Sequence, residues 1–281
     1  MKRLFDGIES ENADPDHLPL LQQLLLTLWE KARERCQRDG LSELDGLINA
    51  EDLAAAIGKE RPEIGSMLRR SLANHAEELY QALPTDKHRR VAETMFRLLG
   101  EADESGVYKR RWTTRDEILT VAQALGPVTV DTVNDVIRKF SEPHRFIRET
   151  QDGKLDVSHE AFIRNWPTLK HWIDDEKGAE KTYRALIDRY EEWKGECADA
   201  TAPRLERFRN QGWGRLDDRL LRRIIDDYAV NKYGREWAKR YSSSEVYHNA
   251  MHFFRRTRNL VWLKKRLVGL SVFAFVLIVG F

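Results

Sequence analysis

The sequence predicts a mainly α-helical protein, and three observations predict it. Apolar residues recur every three or four positions through most of the chain, as in 18–32, 66–82 and 183–193. Between residues 87 and 157, three such segments precede two short β-prone runs joined by a QDG turn. The last stretch, 267–281, carries no charge.

The 281 residues are enough for two or three domains with real cores. Charged residues make up 33% and hydrophobic residues 41%, too apolar for a disordered chain. The net charge of +1 gives no global case for nucleic acid. Cys36 and Cys197 stand far apart and form no CxxC, which fits a reduced, cytosolic compartment and argues against zinc. The opening MKRLFDGIES has no apolar core, so no signal peptide is expected.

The first predicted helix, LPLLQQLLLTLWEKA (18–32), places Leu21, Leu24, Leu25, Leu28, Trp29 and Ala32 at helical spacing. Asp14-Pro15-Asp16 supplies start signals, and Pro19 is tolerable in a first turn. Gly40, Gly46, Gly58, Pro62 and Gly65 then punctuate an extended piece at Leu47–Asn49 and a short helix, EDLAAAIG. Residues 66–82 form a helix that stops at Leu83-Pro84. In the next unit, KHRRVAETMFRLLGE is helical, and Thr114 with Glu117 has capping-box spacing for a second helix. VTVDTVNDVIRKFSE makes a third, with Val130, Val133, Val136, Ile137 and Phe140 on one face. RFIRET and KLDVSH flank the turn as a hairpin. Three helices followed by a hairpin is the order of a winged helix-turn-helix. Pro167 is expected to kink or restart the following helix, whose Phe162, Ile163, Trp166, Leu169, Trp172 and Ile173 read as core.

Beyond Trp172 the chain reads as helical, broken at Pro203 and Gly212-Trp213-Gly214 and resuming over 216–234. Residues 204–266 hold 17 Lys and Arg against 7 Asp and Glu. The run LVGLSVFAFVLIVGF follows Arg255, Arg256, Arg258, Lys264, Lys265 and Arg266. At about 1.5 Å per residue it spans roughly 22 Å, short of a ~30 Å hydrocarbon core, yet it is still apolar at Phe281. The expectation is the start of a transmembrane helix, with its basic flank at the cytoplasmic face of the inner membrane.

Self-contained catalysis is not expected. Phosphate chemistry of the P-loop kind needs GxxxxGK[ST], and Gly58-Lys59 is followed by Glu60. GxGxxG, GxSxG and HExxH are also absent, and the eight histidines are scattered. DNA binding would call for a basic surplus, but residues 88–172 hold 14 Lys and Arg against 13 Asp and Glu. Arg145 and Arg148 on the hairpin keep a DNA-binding alternative open.

Ser158-His159-Glu160 stands where the second hairpin run turns into a helix. A helix start with Ser158 as N-cap accounts for the three residues. So does a binding role for the imidazole, oriented by Glu160. DPDHLPLLQQLLLTLWEKA, SLANHAEELY, VAETMFRLL and above all VSHEAFIRNWPTLKHWI resemble the part of bacterial novel STAND NTPases that follows the P-loop ATPase core. The resemblance covers about residues 12–175, and more loosely reaches about 250. It implies a signalling switch whose ATPase core holds ADP when off and ATP when on, with a helical and a winged-helix domain closing over the nucleotide. It implies that His159 is similar to the phosphate-sensing histidine of the related NB-ARC switches, with Glu160 beside it. His17-Leu18-Pro19 is similar to their Gly-x-Pro, with His17 in place of the Gly, so Pro19 would pack on the adenine, although an ordinary first-turn proline is the simpler account of it.

The organisation expected is a helical domain over 1–84, a winged-helix domain over 85–175, a helical juxtamembrane region over 176–262 and the start of a membrane helix over 263–281. No cofactor is expected in this chain itself; ADP or ATP would come with an ATPase core that the sequence does not contain. That core would be the main partner, and self-association stays open. A membrane-anchored transcription regulator and a non-catalytic adaptor remain as alternatives.

Overall fold

The computed structural model describes residues 17–42, 48–57, 64–143, 145–198 and 234–279, with single positions at 220, 222 and 224. The start signals at 14–16, most of the glycine-punctuated linkers, and the breaks and resumed helix at 203–233 lie outside these residues. Internal contacts divide the chain into two compact units, Met1–Glu176 and Lys177–Phe281.

In the first unit, α1 (His17–Asp39) packs on α2 (Ala50–Ile57) and α3 (Ile64–Gln81). Its buried stripe is Leu20, Leu24, Leu28, Ala32 and Cys36, four residues apart, with Leu21 beside it. Trp29 lies off that stripe and is 47% exposed, contrary to the expectation that it joins the core. The helix stops at Gly40, whose φ of 67° lets the Leu41 N–H return to the Cys36 carbonyl at 2.9 Å. Asn49 caps α2 by accepting from the N–H groups of Glu51 and Asp52, and Asp52 answers by accepting from the Asn49 N–H at 2.9 Å. The same Asp52 carboxylate is buried and takes two hydrogen bonds from Arg35, which ties α2 to α1.

Next come α4 (Asp86–Leu99), β1 (Gly100–Ala102), β2 (Tyr108–Arg110), β3 (Thr113–Thr114), α5 (Arg115–Gln123) and α6 (Val130–Ser141). They are followed by β4 (Ile147–Glu149), β5 (Lys154–Val157) and the short α7 (Glu160–Asn165). Thr85, Thr114 and Thr129 cap α4, α5 and α6, each hydroxyl accepting from an N–H three residues on. Glu117 does not complete a capping box; its carboxylate accepts from the Thr113 hydroxyl at 2.8 Å. Strands β3, β5 and β4 form one antiparallel sheet in that order, and β1 with β2 forms a separate ladder absent from the sequence reading. Its turn is closed by Asp103, which accepts from the N–H groups of Ser105 and Val107, and by Gly106 at φ 83°.

The core of this unit is aromatic. Phe96, Phe140, Phe162 and Trp172 surround Trp166, with ring centroids 5.1 to 6.2 Å from it. Trp166 ends α7, and α8 (Pro167–Ala198) restarts at the proline. With no water at hand, the buried indole N–H donates to Glu77 on α3 at 3.0 Å. Thr168 donates to the same oxygen at 2.7 Å, and Gln81 to the other oxygen at 2.8 Å.

In the second unit, α8 continues beside α9 (Gly234–Ala238) and α10 (Ser244–Val279). Buried Tyr183 meets Trp237 and Tyr247, and its hydroxyl pairs with Ser242 at 2.7 Å. Residues 267–279 of the uncharged run expected to begin a membrane span are the end of α10. No helix among the described residues is long and apolar enough to cross a membrane. α10 is continuous from Ser244 to Val279, and the basic residues Arg255, Arg256, Arg258, Lys264, Lys265 and Arg266 fall within it.

Trp166→Ala would open a cavity among four rings and strand Glu77. The expected loss is about 3–5 kcal/mol, read by denaturant unfolding. Burial alone would raise the Glu77 pKa, but hydrogen bonds from Gln81, Thr168 and Trp166 outweigh it and hold it below 4.5. A lowered folded-state pKa gives stability that is present above the unfolded value and lost as pH falls through the folded one. Wild type should therefore exceed Glu77→Gln at neutral pH, and the gap should close as pH drops below 4.5.

Candidate functional site

Three walls of the first unit enclose an open cleft of about 1920 Å³. The first turns of α1 present Pro19, Gln22 and Gln23, and α6 presents Asn134 and Arg138. The approach to β4 and the start of α7 present Arg145, Arg148 and His159. Pro19 and His159, both singled out by the resemblance and far apart in sequence, thus line one cavity.

Ser158 is the last residue held by the sheet, its N–H donating to the Phe146 carbonyl at 2.9 Å. The N-cap of α7 is therefore His159 and not Ser158, with extended backbone at φ −150°, ψ 144°. Imidazole Nδ1 accepts from the Ala161 N–H at 3.3 Å. A neutral ring used as an acceptor at Nδ1 carries its proton on Nε2, which is left to donate. Glu160 does not line the cleft. Its carboxylate accepts from Arg164 at 3.3 Å and faces Arg110 at 3.9 Å. The orientation of His159 comes from the backbone behind it.

Arg145 has φ 52°, a left-handed conformation that costs a residue with a Cβ about 1–2 kcal/mol. Its neighbours enforce that conformation. The Arg145 N–H donates to the Ser141 carbonyl, and the Phe146 N–H to the Phe140 carbonyl, both at 2.9 Å. The Ser158 hydroxyl donates to the Arg145 carbonyl. Strain of this kind persists only where surrounding bonds over-determine it, and it gathers at functional positions.

The other arginines of the cleft are engaged. Arg115 donates to Glu149 at 2.5 Å and to Asn134 at 2.8 Å. Arg148 donates to Asp156 at 2.7 Å, and Arg110 reaches the same oxygen at 3.0 Å. Asp156 is 1% exposed, so both cations lean on a carboxylate set inside the sheet. On the α1 wall, Gln23 Nε2 is buried and has no acceptor among the described residues. No group of three or more His, Cys, Asp or Glu among the described residues is placed to hold a metal ion.

Sequence reasoning missed Gln23 and the special state of Arg145. Nothing in RFIRET marks a left-handed arginine, since glycine or asparagine is the usual signal for that conformation.

A family model for Novel STAND NTPase 1 matches residues 2–201. The chain belongs to that family. Comparison with curated proteins and with solved structures gave no match.

Arg145→Gly should leave stability unchanged or raise it by up to about 1 kcal/mol, because glycine takes positive φ freely but loses more backbone entropy on folding. Denaturant midpoints read this directly, and a clear loss would show that the side chain holds the fold together.

Proposed function

We propose that this chain is the regulatory portion of a STAND-type signalling NTPase. Residues 85–175 serve as its winged-helix domain and close over a nucleotide held by a P-loop ATPase core. The observation that carries this reading is the meeting of Pro19 and His159 in one cleft. Helices α4, α5 and α6 followed by the β4–β5 hairpin, with β3 as third strand, supply the order of elements such a domain needs. The cavity exceeds the 300–1,000 Å³ of an ordinary small-molecule pocket, so it has room for a nucleotide together with a loop of the protein that carries it.

In this reading the Pro19 ring covers the adenine face, and buried Gln23 Nε2 offers a donor to a ring nitrogen. His159 Nε2–H donates to a phosphate oxygen. Replacing ADP by ATP changes the charge and length of what His159 meets and so shifts the docking equilibrium of the domain. Hydrolysis belongs to the core, since the chain has no Walker A sequence. The second unit passes the change to an effector. Its basic stretch from Arg255 to Arg266 suits the cytoplasmic surface of an anionic membrane.

Nucleic acid fits the same surface less well. A reading helix must protrude into a groove, whereas Arg138 and Arg145 line a concavity whose opposite wall is α1. The α6 surface also carries Asp131 and Asp135 beside its basic residues.

The test is ADP binding by the chain joined to its ATPase core, comparing wild type with His159→Asn. Asparagine keeps a capping oxygen for the Ala161 N–H but lacks the distal ring nitrogen. The expected result is about tenfold weaker binding, ~1.4 kcal/mol, at an unchanged melting temperature. Equal affinity would remove His159 as the sensor.

A further inference from the structure

The arginine that the backbone distorts is also the cleft arginine left without a counter-ion. Arg145 is exposed, and its guanidinium has no carboxylate or carbonyl partner among the described residues. Arg115 and Arg148 are committed to Glu149 and Asp156, and Arg138 stands 3.5 Å from Asp135. Glu142 and Glu149 also line the cleft, but Glu149 is neutralised by Arg115. Around Arg145 the backbone is pinned on both sides, to α6 through Ser141 and Phe140 and to the end of the β5 strand through Ser158. A guanidinium carried on a pinned backbone, lining the cleft and unpaired with any of its carboxylates, is open to an anion. Its planar fork matches two oxygens of a phosphate.

We propose that Arg145 is the residue of this cleft that grips the phosphate oxygens of a nucleoside di- or triphosphate, and that Ser158 is a positioning residue that acts through it. The proposal rests on the nucleotide reading above for the identity of the ligand. The grip itself, an unpaired guanidinium on a polyphosphate, is separable from that reading.

The experiment has two arms. Inorganic pyrophosphate is titrated calorimetrically into the full chain at low ionic strength, and ADP into the chain joined to its ATPase core. The variants are Arg145→Gln, Arg145→Lys, Ser158→Ala, Arg138→Gln and His159→Asn. The expected result is that Arg145→Gln weakens pyrophosphate binding about tenfold, with a shallower salt dependence and an unchanged melting temperature. Arg145→Lys should recover part of the loss, Ser158→Ala should weaken binding to a lesser degree, and Arg138→Gln should have little effect. Pyrophosphate affinity that survives Arg145→Gln overturns the proposal. So does an equal loss in Arg138→Gln, which would mean diffuse attraction by any cleft cation. If His159→Asn weakens ADP while Arg145→Gln changes neither ligand, the nucleotide reading stands and this one falls. If pyrophosphate binds through Arg145 and ADP never binds, the anion site stands and the nucleotide reading falls. A wild-type chain that binds neither ligand overturns both.

Discussion

The indole of Trp166 lies where α3, α4, α6 and α7 converge, and the first unit depends on what its N–H can find there. An aromatic ring removed from water contributes a large apolar area, but an unmet indole N–H would offset much of that gain. Glu77 supplies the acceptor from α3, so the helical segment before Pro84 is bound to the helix-and-sheet segment after it through one carboxylate. Both stretches lie within the compact unit Met1–Glu176. Placement of α1 follows, since α1 packs on α3. Without that packing Pro19 would not share a wall with anything on the sheet.

Seen from the cleft, the fold converts local backbone rules into geometry. A sheet bond holds Ser158, which makes His159 the cap and dedicates Nδ1 to the helix, so that only Nε2 faces outward from the capping bond. The Ser158 hydroxyl meanwhile fixes the carbonyl of Arg145. One serine thus sits between the two side chains that matter most to the proposed chemistry, although it is not itself distinctive in sequence.

Much of this architecture was legible because it is periodic. α4 follows its apolar stripe closely, and α6 does so from Val133 onward, whereas Val130, expected on the same face, is 56% exposed in the first turn; the threonine caps stand in plain view, and Pro167 marks the restart of α8. The β1–β2 ladder was missed because its strands are three residues each and show no alternation, the turn being held by Asp103 and Gly106. Trp29 was misassigned because a window of leucines makes the whole face look apolar, while the true stripe runs four residues apart from Leu20. The terminal run was legible as uncharged, and it belongs to a longer helix that carries six basic residues ahead of it. His159 and Pro19 were legible through family resemblance alone, since neither spacing nor polarity connects them. Arg145 was legible only as a basic residue of the hairpin, because its left-handed conformation is set by three hydrogen bonds with residues that surround it only once the chain has folded.

The shared carboxylate of Asp156 bears on why the composition said so little about ligands. Its negative charge lies beneath the surface of the sheet, while the guanidinium groups that lean on it, Arg110 and Arg148, are partly open to solvent. Charge is thus sorted by depth. The anion counts fully in the formal sum but contributes weakly to what an approaching molecule meets, and the cations contribute more. A chain with 47 basic and 46 acidic residues can in this way present a face of one sign while its total stays near neutrality.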